Sequence, residues 1–159
     1  MLDKANYYHG AAIARLLEDE NSFSVRKKGL LGYVVNEKVF VFLKYTTKAR
    51  TPWRFTFDQE DVDRCFSMSL NHEAVISGLI CGGDGVCALK WQEVKLLLDG
   101  KPGWICIKRN HNERYGVTGS ADELDRKVAV GRWPTLISEI IHPESQFESE
   151  PQTSSVLIN

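Results

Sequence analysis

The N-terminal segment has apolar residues at helical spacing. Ala5, Tyr8, Ala12 and Leu16 recur every three or four residues, and the alanines and leucines around them are good helix formers. The pattern predicts one long amphipathic helix over residues 3–19.

The next part of the chain has the patterns of β-strands. Residues 23–27 alternate and predict a short edge strand, and residues 30–35 form a second apolar run. Residues 39–45 begin apolar on both faces, which is typical of a central strand. Residues 53–57 alternate strictly and place their aromatic residues on one face.

Two hairpins are predicted further along the chain. Residues 74–81 and 86–90 have strand patterns and flank the glycine-rich segment 82–85. That segment lacks the Gly-Lys-Ser/Thr end of a phosphate loop, so a hairpin turn supported by Asp84 explains it better. The second predicted hairpin pairs residues 104–108 with residues 114–118.

Short helices complete the predicted fold. An acidic turn begins one at residue 58, residues 91–98 form another, and Ser120-x-x-Glu123 predicts a further helical turn. The elements together predict an α/β (α+β) fold, with a mainly antiparallel or mixed central sheet flanked by the long N-terminal helix and one or two short helices. We expect a single globular domain over residues 1–142 and a mobile acidic C-terminal tail over residues 143–159.

Composition agrees with one domain and excludes several classes of protein. The chain has 159 residues, 43% hydrophobic and 26% charged, which excludes wholesale disorder and collagen-like repeats. The longest uncharged apolar stretch, residues 74–83, is about half the roughly 20 residues that a spanning helix needs. The first residues carry no apolar core of a signal peptide. We therefore expect a soluble, cytoplasmic protein with no membrane contact.

The cysteines and histidines show no pattern that indicates a cofactor. Disulfides are not expected without an export signal, and the spacing Cys81-x5-Cys87 is too loose for a zinc knuckle. The four histidines show no helical metal spacing. The sequence therefore predicts neither a cofactor nor a metal site.

The net charge of −1 conceals a segregated pattern. Residues 26–54 contain eight basic residues and one acid, a sum of +7, whereas residues 55–100 sum to −5 and the chain from residue 134 onward sums to −4. A basic block of this kind is typical of a surface for a polyanion. A solvated face of basic strands is the alternative.

The basic block is densest where it meets aromatic residues. Phosphates and unstacked bases require cations and aromatic rings together, so we predict a surface for DNA or RNA. A strand end with snorkelling cations and a core tryptophan is the alternative. Lys44 ends an apolar strand and must reach solvent, a carboxylate or a ligand. The predicted contact residues are Lys44, Lys48, Arg50, Arg54, Tyr45 and Trp53.

The predicted order of elements is a helix, antiparallel strands, a second helix and further strands, and Lys44 ends the run Val41-Phe42-Leu43-Lys44. This pattern resembles the PD-(D/E)xK nuclease-like superfamily over about residues 5–98. In that family the second core strand supplies an Asp, and the third supplies a Glu or Gln two residues before a Lys. Phe42 stands where the carboxylate would be, and residues 30–35 offer no Asp. The resemblance therefore implies a nuclease-like module that binds nucleic acid without metal-dependent cleavage.

Two other functions remain open from the sequence. A protein-interaction or regulatory module would use the opposite charges of the basic block and the acidic tail, with the tail covering the basic face until a partner displaces it. An enzyme of another type would use a pocket near Tyr8, His9 and Lys44. The four tryptophans belong either to the core or to an exposed patch for a homodimer partner.

Overall fold

The protein is built from helices and strands in nearly equal measure. A computed structural model describes residues 1–18 and 23–143, and within these residues the chain forms four helices and eight strands. The helices are α1 (Lys4–Leu17), α2 (Gln59–Ser69), α3 (Trp91–Leu98) and α4 (Arg132–Ile141). The strands are β1 (Val25–Lys27), β2 (Gly32–Val35), β3 (Val39–Thr46), β4 (Trp53–Phe57), β5 (Ala74–Cys81), β6 (Gly85–Lys90), β7 (Gly103–Lys108) and β8 (Gly116–Gly119).

Five strands form a large mixed sheet in the order β1-β2-β3-β5-β6. The first three are an antiparallel meander, β3 runs parallel to β5, and β6 returns antiparallel to β5. Asn36 and Glu37 both have positive φ, 51° and 56°, as the tight hairpin turn between β2 and β3 requires. The predictions of a mixed sheet, a central strand over residues 39–45 and an edge strand within residues 23–27 are confirmed.

Three strands, β4, β7 and β8, form a small antiparallel sheet. The strict alternation of β4 buries Trp53, Phe55 and Phe57 and leaves Arg54 and Thr56 exposed, as predicted. Both predicted hairpins are also present, as β5 with β6 and as β7 with β8.

The two faces of the large sheet are covered by different layers. On one face α1 and α4 pack over a core that includes Leu16, Val41 and Leu43. The indole N–H of Trp133 on α4 donates to the carbonyl of Ala12 on α1 across 3.0 Å, which ties the two helices together. The other face packs against α2, α3 and the small sheet through a second core of aromatic and aliphatic side chains, among them Phe40, Phe42, Phe55, Phe57, Leu79 and Leu97.

Two details near the C-terminus differ from the prediction. The helical turn expected at Ser120 is wrong: its hydroxyl accepts the backbone N–H of Trp104 and Glu123 bridges to Thr118, so the segment follows the edge of the small sheet. Helix α4 was not predicted, although Leu136, Ile137 and Ile141 recur at helical spacing and are buried. Its β-branched residues and the Trp133-Pro134 step weaken the local helix signal.

The predicted C-terminal tail lies almost wholly outside the described residues, which end at Pro143. In the described part of the chain, none of the helices has the length and apolar character that crossing a membrane requires.

Candidate functional site

Lys44 is held inside the fold by a carboxylate. Its ammonium lies 2.9 Å from Asp61 Oδ2 on α2, and 5.4 Å from the ring centres of Phe42 and Phe57. The side chains of Lys44 and Asp61 are only 18% and 10% exposed. The sequence left solvent, a carboxylate or a ligand as the partner of Lys44, and in the structure the partner is a carboxylate.

Tyr45 points to the opposite face of the large sheet from Lys44, because successive residues of a strand alternate. Its ring stacks on Tyr8 of α1 with centres 4.9 Å apart and planes 8° apart, and His9 meets it edge-on at 6.2 Å. The pocket of Tyr8, His9 and Lys44 considered for an enzyme does not form, because Lys44 lies across the sheet from the other two.

Trp53 belongs to the core and anchors the loop that precedes it. It is 3% exposed, and its indole N–H donates to the carbonyl of Lys48 across 3.0 Å. Trp91 and Trp133 are likewise buried, at 5% and 2% exposure. These three tryptophans therefore belong to the core and not to an exposed patch.

The other three predicted cations lie at the surface but not together. Arg54 is on the outer face of the small sheet, where its guanidinium lies 4.5 Å from the ring centre of Trp104. Lys48 and Arg50 are exposed in the loop between β3 and β4, residues 47–52. The six predicted contact residues therefore do not share one surface.

Arg50 lines an open cavity of about 540 Å³ between three loops, which we call the basic cavity. The β7–β8 loop contributes Arg109 and His111, the turn between β5 and β6 contributes Asp84, and Trp53 adds an aromatic wall. Arg109, His111 and Asp84 were not among the predicted contact residues. They come from segments far from Arg50 in the sequence, and only the docking of the two sheets brings them together.

Arg109 is held rigidly at this cavity. Its Nη1 donates to Asp84 Oδ1 across 2.8 Å, and its Nε donates to the carbonyl of Glu113 across 2.7 Å. Its backbone N–H donates to the hydroxyl of Thr51 across 3.0 Å, which joins the β7–β8 loop to the β3–β4 loop. Nη2 makes no hydrogen bond to any described residue, so this donor remains available to a ligand.

The sequence suggested that Asp84 supports its own turn. In the structure its side chain instead joins the two sheets. Its second oxygen accepts the hydroxyl of Tyr115 across 2.9 Å, and burial raises the pKa of Tyr115, so the phenol remains a donor. Gly82 has a φ of +55°, and a side chain there would collide with the Lys48 carbonyl, so glycine lets the turn approach the β3–β4 loop. Thr46 and Cys81 pair at the last register of β3 and β5, which places both loops at the carboxyl end of these parallel strands.

The loops around the basic cavity carry an excess of positive charge. Residues 47–52 and 109–115 contain Lys48, Arg50, Arg109 and Arg114. Of the acids nearby, Asp84 is paired with Arg109, and Glu113 is paired with Lys127 at 2.8 Å. Arg50 has no ion pair with any described residue, so this exposed cation remains available to an anion.

His9 is buried beneath α1 against the large sheet. It is 5% exposed, and its Nδ1 lies 3.1 Å from the Tyr33 hydroxyl, while its Nε2 is buried without a partner among the described residues. Burial, with a smaller contribution from Lys27, lowers the pKa of His9, so the ring is held neutral.

In the described residues, no group of three or more His, Cys, Asp or Glu side chains is placed to hold a metal ion. All four cysteines are free thiols. Comparison with protein-family models, with curated proteins and with solved structures finds no match. An inference about the function therefore rests on the residues and the geometry of this site.

Proposed function

We propose that the protein is a nucleic-acid-binding module that holds backbone phosphates in the basic cavity. The observation that carries this proposal is the pair Arg50 and Arg109, which come from two separate loops and line one open cavity. Asp84 balances the charge of Arg109 and orients it, so Arg109 contributes its Nη2 donor, while Arg50 is exposed and has no ion pair with any described residue. Guanidinium groups match phosphate oxygens in charge and in fork geometry.

The binding surface in this proposal is displaced from the one predicted from the sequence. Lys44 is paired with Asp61 and does not line the basic cavity, Tyr45 stacks on Tyr8, and Trp53 is buried, so these side chains contribute to the fold. Arg50 remains as a contact, with Lys48 beside it in the same loop. The cations of the β7–β8 loop replace the others.

The proposal keeps the binding of nucleic acid separate from its cleavage. In support of a nuclease-like arrangement, α1 packs against β3 and β5 and contacts Tyr33 of β2, and α2 leads into a further strand of the same sheet. Phe42, which stands where the resemblance would put the carboxylate, is fully buried, with its ring centre 6.1 Å from that of Phe57. A buried phenyl ring supplies no metal ligand, so we propose a module that binds without cutting.

The test is fluorescence anisotropy with labelled DNA and RNA oligonucleotides over a range of salt concentrations. Arg50→Ala should weaken binding and reduce the slope of log K against log salt by about 0.7 for a single strand, the value expected for the loss of one phosphate contact. Arg50→Lys should restore most of the slope, because it keeps the charge.

Lys101→Ala is the matched control, because it removes one exposed cation near the start of β7, the end opposite Arg109. It should leave affinity and slope unchanged. Absence of binding at low salt, or equal effects of the Arg50 and Lys101 variants, would refute the proposal.

A further inference from the structure

A second cavity adjoins the basic cavity at the β5–β6 turn. It has a volume of about 250 Å³ and is lined by α1 and by the turn, and we call it the aromatic cavity. Its walls include Tyr7, Tyr8, Ile80 and Val86. Asp84 lines both cavities, so the two are immediate neighbours.

The aromatic cavity is lined by one tyrosine ring that is held in place and by another that is exposed. Tyr8 is held by its stack on Tyr45, whereas Tyr7 is 64% exposed and has no aromatic partner among the described residues. Exposed tyrosine rings beside an aliphatic wall provide a surface on which a planar group can stack. Pockets for drug-sized ligands measure about 300–1,000 Å³, so this smaller cavity suits a single planar ring system.

The turn between the cavities leaves room for a ligand to extend from one to the other. A side chain built on Gly83 would meet nothing within 4 Å, and Gly83 does not have a positive φ. The backbone of the turn is therefore open to contact at this position, and an added side chain there would occupy space without straining the chain.

We propose that the aromatic cavity takes an unpaired base while the basic cavity holds a neighbouring phosphate, so that the ligand is a single-stranded stretch of nucleic acid. This inference rests on the proposed function and adds which form of nucleic acid is bound. Cations that follow the backbone and aromatic rings that stack the bases are the two elements of single-strand recognition. In a duplex each base is already stacked and paired, so its face cannot reach Tyr7.

The experiment measures binding of three labelled probes at low salt: a short thymidine oligonucleotide, the same backbone with abasic sites, and a duplex of equal length. The wild-type protein should bind the thymidine strand most tightly. Tyr7→Ala should weaken binding of that strand by roughly 5- to 150-fold, the range expected for one lost stack, and should leave the abasic probe unchanged. Tyr7→Phe keeps the ring and should retain most of the affinity.

Two further variants make the result specific to the cavity. Gly83→Val fills the space beside the turn and should reduce binding of the thymidine strand more than binding of the abasic probe. Leu70→Ala removes an exposed apolar side chain that follows α2 and should change nothing. Both variants alter positions at which a loss of folding is not expected, and circular dichroism checks this.

The outcomes separate the inference from the function on which it rests. If Arg50→Ala weakens all three probes while Tyr7→Ala changes none of them, or all equally, the base assignment is refuted and the phosphate site stands. If Arg50→Ala has no effect, the proposed function itself is refuted. Competition by thymidine monophosphate that depends on Tyr7 and Arg50, without binding of the strand, would refute the single-stranded ligand and assign the two cavities to a free nucleotide.

Discussion

The role of Lys44 differs between the sequence-based expectation and the structure. The sequence predicts a nucleic-acid contact, whereas the structure places the ammonium 2.9 Å from Asp61 in a largely buried pair. Lys44→Met keeps the aliphatic length of the side chain and removes only its charge and hydrogen bonds. We expect this variant to lose stability and to bind oligonucleotides with unchanged affinity.

The expected magnitude follows from what the substitution leaves behind. Asp61 would remain buried, and its carboxylate would keep one hydrogen-bond donor among the described residues, the backbone N–H of Asp58 at 3.1 Å. Removing one member of a buried pair typically costs about 3–5 kcal/mol. Because the two side chains keep some contact with water, we expect the lower end, about 3 kcal/mol. With a typical slope of about 2 kcal/mol per molar urea, the unfolding midpoint should fall by roughly 1.5 M.

The assay is urea unfolding of the wild type, Lys44→Met, Asp61→Asn and the double variant. Asn at position 61 still accepts the Asp58 N–H, so the double variant lacks both charges but keeps the helix cap. Its loss should be smaller than the sum of the single losses by at least about 1 kcal/mol. Additive losses, or a Lys44→Met midpoint close to that of the wild type, would refute the reasoning.

A matched control uses the exposed pair of Arg26 and Glu37, which are 53% and 63% exposed. Arg26→Met should leave the unfolding midpoint almost unchanged, because water and salt screen an exposed pair. A drop in oligonucleotide affinity in Lys44→Met, without a drop in Arg26→Met, would restore Lys44 as a contact.

Two further predictions concern titratable groups in the core. Burial raises the pKa of Cys65 to about 12 and also raises the pKa values of Cys81 and Cys87. A thiol reagent should therefore modify only the partly exposed Cys106 in the native protein and all four cysteines in urea. Rapid modification of two or more thiols per native chain would contradict this. Since burial holds the pKa of His9 below 6.5, the unfolded state binds a proton first as the pH falls. Unfolding free energy should therefore decrease below pH 6.5, with a shallower decrease in His9→Gln, and equal slopes would count against this assignment.

Local pattern was sufficient for most of the elements because each strand or helix carries its own period. The alternation of residues 53–57 and the doubly apolar start of β3 correspond to a half-buried and a central strand, as observed. Helix α4 was not predicted because its local sequence is rich in β-branched residues, and its helical structure depends on packing against α1 and β6. Tertiary contacts here override a weak local preference.

The candidate site was less accessible to sequence reasoning because it depends on the contact between two sheets. Arg109 and Asp84 are 25 residues apart and belong to different sheets, and no local pattern sets their pairing. One signal was available: the period of two along β3 already separates Lys44 from Tyr45. Because of that alternation, the predicted cations and aromatic residues could not have formed a single surface.

Dependence on sheet docking has a consequence for binding itself. The large sheet supplies Asp84 and the β3–β4 loop supplies Arg50, whereas the small sheet supplies Arg109, so neither sheet contains the basic cavity alone. Arg109 is pre-oriented by hydrogen bonds that cross between the sheets, so the phosphate binding that we propose would cost this side chain less entropy. A ligand bound as proposed would contact both sheets and would therefore stabilise their docked arrangement. The proposed binding and the docking of the two sheets would for this reason be thermodynamically linked.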